Sequence, residues 1–142
     1  MSTPEKIEAL YNKILSLEVK ADEALKIDTS KLEEHFDRSY LIMKWYRVLN
    51  SWKKTKIIVD QKAIVVYKRL YTKYAKQNFF ELKSKEIDVF IKADDEYKLI
   101  NEEVELIKIG IAFIEQVAKA LEGQKFEIKE LVAWKKFTKG ED

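Results

Sequence analysis

Apolar residues recur three and four positions apart along most of this chain, which is the period of an amphipathic α-helix. From Pro4 to about Leu25 they form a narrow row suited to one partner helix. From about Asp95 to Glu122 the alternation continues without a miss and predicts sustained knobs-into-holes packing. The members of this second row are Tyr97, Ile100, Val104, Ile107, Ile111, Ile114, Ala118 and Leu121. The pattern predicts an all-α fold with coiled-coil-like packing.

Local signals predict where the helices begin and end. Thr3-Pro4-Glu5 places a hydroxyl N-cap, a proline at the first helical position and an acid in the first turn. Asp94 is the predicted N-cap of the helix that follows it. Gly123 is its predicted end, because glycine commonly follows the last turn of a helix. A separate C-terminal helix is predicted over about 127–137, with Phe126, Ile128, Leu131, Val132 and Phe137 as its apolar residues.

The longest helix is predicted over about 31–76, since Ser30 and Glu33 have capping-box spacing and nothing up to Lys76 stops a helix. A rise of about 1.5 Å per residue makes this helix a rod of about 69 Å. A compact monomer of this length has a radius of gyration of roughly 14 to 15 Å, so one subunit cannot cover the rod. We therefore expect an elongated protomer, built around this long central helix, that assembles with other copies.

The stretch 77–93 is ambiguous between helix and strand, and we favour a short helix over about 83–92. As domains, we expect an N-terminal helical arm over 1–26 and a single helical domain over 27–142.

Composition narrows the class of protein. The chain has 142 residues, 46% of them hydrophobic, which is enough for one ordinary domain. It has no cysteine, so disulfides and thiolate sites are excluded. It has no apolar run near the roughly 20 residues that span a bilayer. We expect a soluble, cytoplasmic protein.

Charge is concentrated in one segment. Between Lys44 and Lys76 there are ten basic residues and one acid, although the whole chain is only +2. On a helical wheel six of them share one sector, with Lys54 at its edge: Lys44, Arg47, Lys62, Arg69, Lys73 and Lys76. Together with Lys54 and Lys68 they define the basic stripe, the predicted nucleic-acid contacts. Lys53 and Lys56 point elsewhere. Tyr46, Tyr67, Tyr71 and Tyr74 are candidates for base stacking, with Tyr67 beside Lys68, and at helical spacing each is at least as well suited to packing.

The remaining sectors of this helix carry apolar residues, which we expect to be buried. One side carries Trp45, Trp52, Val59, Val66 and Leu70, which we assign to core or oligomer packing. The same role is assigned to four residues of the later helix: Val104, Ile107, Ile111 and Ile114. A second apolar side, roughly 100° further round, carries Ile57, Ile64 and Tyr71.

Enzymatic chemistry has little support. No glycine-rich loop, catalytic triad or zinc-finger spacing is present, and His35 is the only histidine. The carboxylates of 94–96 and 102–105 are better explained by helix-dipole stabilisation and solvation than by Mg²⁺. We expect no catalytic residue, no metal site and no cofactor.

Positive charge combined with aromatic faces is typical of proteins that bind single-stranded nucleic acid. Two other interpretations remain open at this point. One is a structural coiled-coil scaffold whose basic face meets acidic protein, since residues 77–106 carry nine acids against four bases. A protein that binds duplex DNA is the third interpretation.

Several short strings, in order and spacing, resemble the UvsY-type recombination mediators of T4-like bacteriophages. The similarity covers roughly residues 27–140. The strings are Ile27-Asp28-Thr29-Ser30-Lys31-Leu32, Lys44-Trp45, Lys53-Lys54, Lys68-Arg69-Leu70, Ala93-Asp94, Gly110, Phe126-Glu127-Ile128-Lys129 and Phe137-Thr138-Lys139-Gly140.

The resemblance implies a protein of DNA recombination and repair that binds single-stranded DNA and forms a homo-oligomeric ring, heptameric in the family prototype. It also implies two further partners, a RecA-like recombinase and a single-strand DNA-binding protein, with the recombinase being loaded onto DNA that the latter coats. The setting implied is the cytoplasm of an infected bacterial host. In that family a Lys-x-Arg-type string is linked to DNA binding, whereas here Lys68 and Arg69 are adjacent.

Overall fold

The structure, a computed structural model, describes residues 1–28, 30, 38–77 and 82–140. These residues form four helices: α1 (Pro4–Leu25), α2 (Ser39–Gln77), α3 (Ser84–Ala93) and α4 (Asp95–Thr138). No residue in these ranges is in a strand. The all-α fold predicted from the periodicity is therefore confirmed, and the ambiguous stretch is helical over Ser84–Ala93.

Two predicted helix starts are confirmed by their capping hydrogen bonds. The Thr3 hydroxyl oxygen accepts from the Lys6 backbone N–H at 3.2 Å. The Asp94 carboxylate accepts from the Glu96 backbone N–H at 2.9 Å. Each side chain satisfies an amide that has no partner within its own helix.

The predicted start of the long helix near residue 31 is wrong, because Arg38 is not helical and α2 begins at Ser39. The Arg38 side chain is buried, and its guanidinium donates to the Ala24 carbonyl and to the Gln124 side chain. Burial lowers the Arg38 pKa. These contacts tie the chain down immediately before α2. Glu33, the second member of the predicted capping box, lies outside the described residues. His35 also lies outside them.

The predicted helix end at Gly123 is also wrong, and so is the separate C-terminal helix. α4 continues through Gly123 to Thr138, a length of 44 residues that makes it longer than α2. Its buried row continues too, since Leu121 is followed at helical spacing by Ile128 and Val132. Glycine inside a helix costs about 1 kcal/mol relative to alanine, and burial of these two side chains offsets that cost. The left-handed glycine lies further on, at Gly140, with φ of 70°.

The chain divides into two compact units. The first comprises Met1–Lys13 and Trp52–Ile109. Part of its core is a cluster of three buried residues, Leu70, Ile87 and Ile91, which joins α2 to α3. The other buried apolar residues of this unit are Ile7, Val59, Ile100, Val104 and Ile107.

The second unit comprises Ile14–Ser51 and Gly110–Asp142. Its buried apolar residues come from α1, α2 and α4: Ile14, Leu17, Ala21, Trp45, Leu49, Ile114, Val117, Ala118, Leu121, Ile128 and Val132. Ile27 packs against Ile128 and Val132. The Gln124 amide also donates to the Leu25 carbonyl at 2.8 Å, so the end of α1 is joined to α4. The division of the sequence at residue 26 into an arm and a domain stays a prediction.

Candidate nucleic-acid interface

Every residue of the basic stripe is exposed on α2. Lys44 and Arg47 belong to the second unit and the other six to the first. In the first unit, Lys62, Arg69, Lys73 and Lys76 fall within about 60° of one another around the helix axis, at 100° per residue. Lys54 and Lys68 lie further round. The first unit therefore presents a row of four cations with two more beside it.

Two of these cations have partners within the first unit. The Arg69 guanidinium forms an ion pair with the Glu96 carboxylate at the start of α4. The Lys73 ammonium lies 5.4 Å from the centre of the Tyr74 ring. Both arrangements are exposed enough for solvent to screen them, so they orient the side chains without neutralising the row.

The Tyr67 side chain is half-buried and engaged by other residues of the protein. Its hydroxyl donates to the Asp88 carboxylate at 2.6 Å, and its ring meets the Tyr97 ring edge to face at 5.9 Å. The hydrogen bond to Asp88, with a contribution from burial, raises the pKa of Tyr67 to about 12. The same hydrogen bond, together with Lys92, lowers the pKa of Asp88. Tyr67 therefore connects α2 to α3 rather than standing open beside Lys68.

Two more tyrosines of α2 make the same kind of connection. The Tyr74 hydroxyl donates to Asp94 at 2.6 Å, and the Tyr71 hydroxyl lies 3.2 Å from the Ser84 hydroxyl. Tyr74 also stacks on Phe90 at 5.8 Å. Its bond to Asp94 raises the pKa of Tyr74 and lowers that of the carboxyl. Three of the four aromatic residues proposed for base stacking therefore connect α2 to α3 or to the residue that follows it.

Tyr46, the fourth stacking candidate, is in the second unit. It is exposed, and its hydroxyl donates to the Glu122 carboxylate at 2.6 Å. That hydrogen bond raises the pKa of Tyr46.

The residues assigned to packing are at least half-buried within the chain. Six are buried: Trp45, Val59, Leu70, Val104, Ile107 and Ile114. Three are half-buried: Trp52, Val66 and Ile111. The second apolar side of α2 is different, because Ile57 is 59% exposed and Ile64 is 55% exposed.

Two features of the surface were missed at the sequence level. Ile58 and Val65, seven residues apart on α2, line an open groove in the first unit together with Lys62 and Arg69. Their seven-residue spacing was the available signal, and it was hidden because basic residues share their sector. In the second unit Phe126, Leu131, Trp134 and Phe137 are exposed, and three of them are among the apolar residues of the predicted C-terminal helix.

Membrane and metal sites were also sought among the described residues. None of the four helices is long and apolar enough to cross a membrane. Within the same ranges, no group of three or more histidine, aspartate or glutamate side chains is placed to hold a metal ion.

An all-helical chain with an exposed row of cations on one long helix belongs to the class of helical proteins suited to binding polyanions. The particular family follows from comparison with known proteins. A family model described as "Recombination, repair and ssDNA binding protein UvsY" matches residues 19–141. The chain therefore belongs to the UvsY family, which confirms the resemblance. Membership supports a general role in recombination with single-stranded DNA binding, and the family description names no enzymatic activity.

Solved structures agree on the fold. The chain is similar to crystal structures of the bacteriophage T4 recombination mediator protein UvsY in several lattice types. One match has a TM-score of 0.79 at 20% identity and covers 88% of this chain and 98% of that one. Another has a TM-score of 0.78 at 19% identity, with coverages of 87% and 98%. No protein of curated function matches the chain significantly.

Proposed function

We propose that this protein binds single-stranded DNA along the exposed cations of α2 and acts as a recombination mediator. In this role it promotes the loading of a RecA-like recombinase onto DNA that is coated by a single-strand DNA-binding protein. The setting would be the cytoplasm of an infected bacterium.

One observation carries the DNA-binding part of the proposal. Lys62, Arg69, Lys73 and Lys76 are exposed on one side of α2, while the tyrosines between them are held by α3. The cations therefore lie on the exposed side of a helix whose tyrosines pack against α3. A strand that binds such a row releases counterions from its phosphates, which favours association without reading sequence.

The mediator part rests on assembly. Ile57 and Ile64 are more than half exposed, and an exposed apolar side on a long helix is suited to another copy of the chain. A head-to-tail contact that closes gives a ring, and the family resemblance implies about seven subunits. Several rows of cations on one ring would hold one strand through effective concentration, so that individually weak sites combine. Such a ring would bend the strand and favour the recombinase over the competing binding protein.

Fluorescence anisotropy with a labelled oligonucleotide tests DNA binding. Across a salt series the affinity should fall with a log-log slope of roughly −0.7 for each phosphate neutralised. The double variant Lys68→Ala, Arg69→Ala should bind more weakly and lose roughly 1.4 from the magnitude of that slope, because two phosphate contacts are gone. A charge-matched control, Lys13→Ala with Lys108→Ala on α1 and α4, should bind like the parent. No binding at low salt would exclude this function, and a preference for duplex would favour an architectural protein.

A recombinase assay tests mediation. The readout is the lag before a RecA-like recombinase hydrolyses ATP on single-stranded DNA that is already coated by a single-strand DNA-binding protein. The parent protein should shorten the lag, and Lys68→Ala, Arg69→Ala should shorten it less. Sedimentation velocity in parallel should show the same assembly for both proteins. An unchanged lag with the parent would limit the function to DNA binding.

A further inference from the structure

An open groove of about 500 Å³ lies in the first unit. α2 forms one wall with Ile58, Val65 and Val66, and α4 contributes Ile100. Two cations of the basic stripe, Lys62 and Arg69, also line the groove. A volume of this size is within the range of sites that hold small organic groups, roughly 300 to 1,000 Å³.

The groove alternates apolar and cationic residues along α2. Ile58, Lys62, Val65 and Arg69 follow one another at intervals of four, three and four residues, so they share one side of the helix. The two apolar members are exposed, Ile58 by 53% and Val65 by 64%. Lys62 and Arg69 are seven residues apart, which is a rise of about 10 Å. Along this side of α2 the surface therefore has an apolar residue followed by a cation, and then the same pair again.

A single strand of nucleic acid has the complementary repeat, since each nucleotide carries an apolar base face and an anionic phosphate. We infer that this groove receives unpaired bases of the strand whose phosphates contact Lys62 and Arg69. The inference rests on the proposed function and adds to it the part of the ligand that enters the groove. Bases in a duplex are stacked and paired, so their faces are not available to Ile58 and Val65. The groove thereby supplies the preference for single strands that cations alone do not provide.

Charge argues for this occupant over a second copy of the chain. Lys62 forms no salt bridge within the part of the chain that the structure describes. An apolar surface placed over the groove would cover its ammonium without a compensating anion, which is unfavourable. A phosphate supplies that anion. The groove is also continuous with Lys73 and Lys76 along the same sector of α2, so a strand that enters it can follow the row.

Glu96 lies in the groove as well, where its carboxylate accepts from Arg69. It reduces the positive charge at this end of the groove, and a phosphate that reaches Arg69 competes with it. Ile58 and Val65 take no part in the ion pair between Arg69 and Glu96. Substitutions at these two residues therefore test the contacts to bases without altering the contacts to phosphates.

The test is a double variant that removes apolar groups and leaves every charge in place. Ile58→Thr with Val65→Thr keeps β-branched side chains at two exposed positions. Its affinity for a labelled thymidine oligonucleotide should fall about tenfold, because the variant offers less apolar area for a base to cover. The log-log slope against salt should be unchanged, because the same phosphates are neutralised. An oligonucleotide with abasic sites should bind the parent about tenfold more weakly and the variant with no further loss.

A matched control is available elsewhere in the first unit. Val89→Thr with Ile109→Thr makes the same two substitutions at positions of similar exposure, on α3 and α4 and outside the groove. This control should bind the oligonucleotide with the affinity of the parent. Thermal unfolding by circular dichroism should give one midpoint for the parent and both variants, since all four positions are more than half exposed.

Three results would overturn the inference. In the first, Ile58→Thr, Val65→Thr binds like the parent. In the second, both double variants lose the same affinity. In the third, the groove variant sediments as a smaller assembly than the parent, which would reassign the groove to contact between copies. If the parent itself fails to bind at about 50 mM salt, the proposed function fails; if it binds and the groove variant is unaffected, only the groove assignment fails.

Discussion

Two regions of this protein mix basic and aromatic residues, and the structure uses the aromatics in opposite ways. In the first unit, Tyr67, Tyr71 and Tyr74 on α2 are half-buried and joined to α3 or its flanking residues through their hydroxyls. In the second unit, Trp134 and Phe137 near the end of α4 are 64% and 73% exposed and stack on each other at 5.9 Å. Lysines accompany both sets. Composition alone therefore does not tell whether an aromatic side chain holds the fold together or faces solvent.

The difference has a local physical cause. Asp88, Asp94 and Ser84 supply oxygens where the tyrosine hydroxyls of α2 arrive, so the polar tip of each ring is satisfied while its body packs. Near the end of α4, Ile27 packs against the buried side chains of Ile128 and Val132. The opposite side of that helix keeps Trp134 and Phe137 in solvent. Five predictions follow this contrast from its strongest consequence to its weakest.

The largest effect is expected beneath the tyrosines, at Ile91, which is fully buried against Leu70 and Ile87. Ile91→Asp would place an unpaired charge in the core and should cost more than about 4 kcal/mol of stability, enough to unfold the first unit. Chemical denaturation followed by circular dichroism measures it. Val89→Asp, on the same helix but 66% exposed, is the control and should cost little. Equal effects would show that α3 does not pack as described.

A smaller loss is expected when one tyrosine connection is cut. Tyr67→Phe removes the hydrogen bond to Asp88 and should cost about 1 kcal/mol, less than a fully buried bond of this kind because the site is partly exposed. Tyr40→Phe, at a residue 74% exposed, should cost almost nothing. Because the pKa of Tyr67 is raised to about 12, its contribution is complete below about pH 10 and is lost as the pH rises toward that value. The denaturation midpoint of Tyr67→Phe should therefore converge with that of the parent in alkali.

Acid should weaken the contribution of the hydrogen bond between Tyr74 and Asp94 to the stability of the fold. The Tyr74 hydroxyl holds the pKa of Asp94 below its usual value, so ionised Asp94 stabilises the fold above about pH 4. That contribution is lost as the pH falls through the lowered pKa. Asp94→Asn should lower the thermal midpoint at neutral pH and reduce its dependence on acid. Tyr74→Phe removes the same hydrogen bond from its donor side, so it should also lower the midpoint and reduce the acid dependence. An acid dependence equal to that of the parent in this variant would contradict the role of Asp94.

DNA binding should respond modestly to Glu96. Glu96→Gln frees Arg69 from its ion pair and should tighten binding of a labelled oligonucleotide about twofold, the size expected for an exposed pair. The salt slope should stay that of the parent, because Arg69 neutralises one phosphate in both proteins. Glu105→Gln releases Lys108 on α4 instead, and its affinity should equal that of the parent. Tighter binding with both variants would mean that net charge, and not the position of Arg69, decides the affinity.

The weakest effect is expected at the exposed end of α4. Trp134→Ala should change the free energy of unfolding by less than about 0.5 kcal/mol, because the side chain is largely in solvent before and after the change. Urea denaturation at several protein concentrations measures it. A larger loss that grows with protein concentration would show that another copy covers this surface, and the contrast between the two regions would then hold only for the isolated chain.

Much of the fold could be predicted from the sequence, because the relevant interactions are local or periodic. Thr3 and Asp94 cap their helices through amides two or three residues away, so the sequence itself contains both partners. The three-four alternation of α4 places Ile100, Ile107 and Ile114 on one side, and all three are buried. The separation of charge onto one sector of α2 depends only on helical geometry, and the residues it selected are exposed.

The remaining features depend on contacts between residues far apart in the chain. Gly123 is a helix end by local rules, yet burial of Ile128 and Val132 keeps α4 continuous. Tyr67 looks like a stacking residue beside Lys68 until Asp88, 21 positions later, accepts its hydroxyl. The groove at Ile58 and Val65 is formed together with Ile100 and Glu96 of α4 and with the N-terminal residues Met1 and Ser2, all of them distant from α2 in the chain. The sequence by itself determined the helices and the charged face, since these follow from hydrogen bonds and periods within a few residues. Only the tertiary structure decided where α4 ends, which aromatic side chains other residues engage and where the groove of the first unit lies, because distant side chains meet only after the chain has packed.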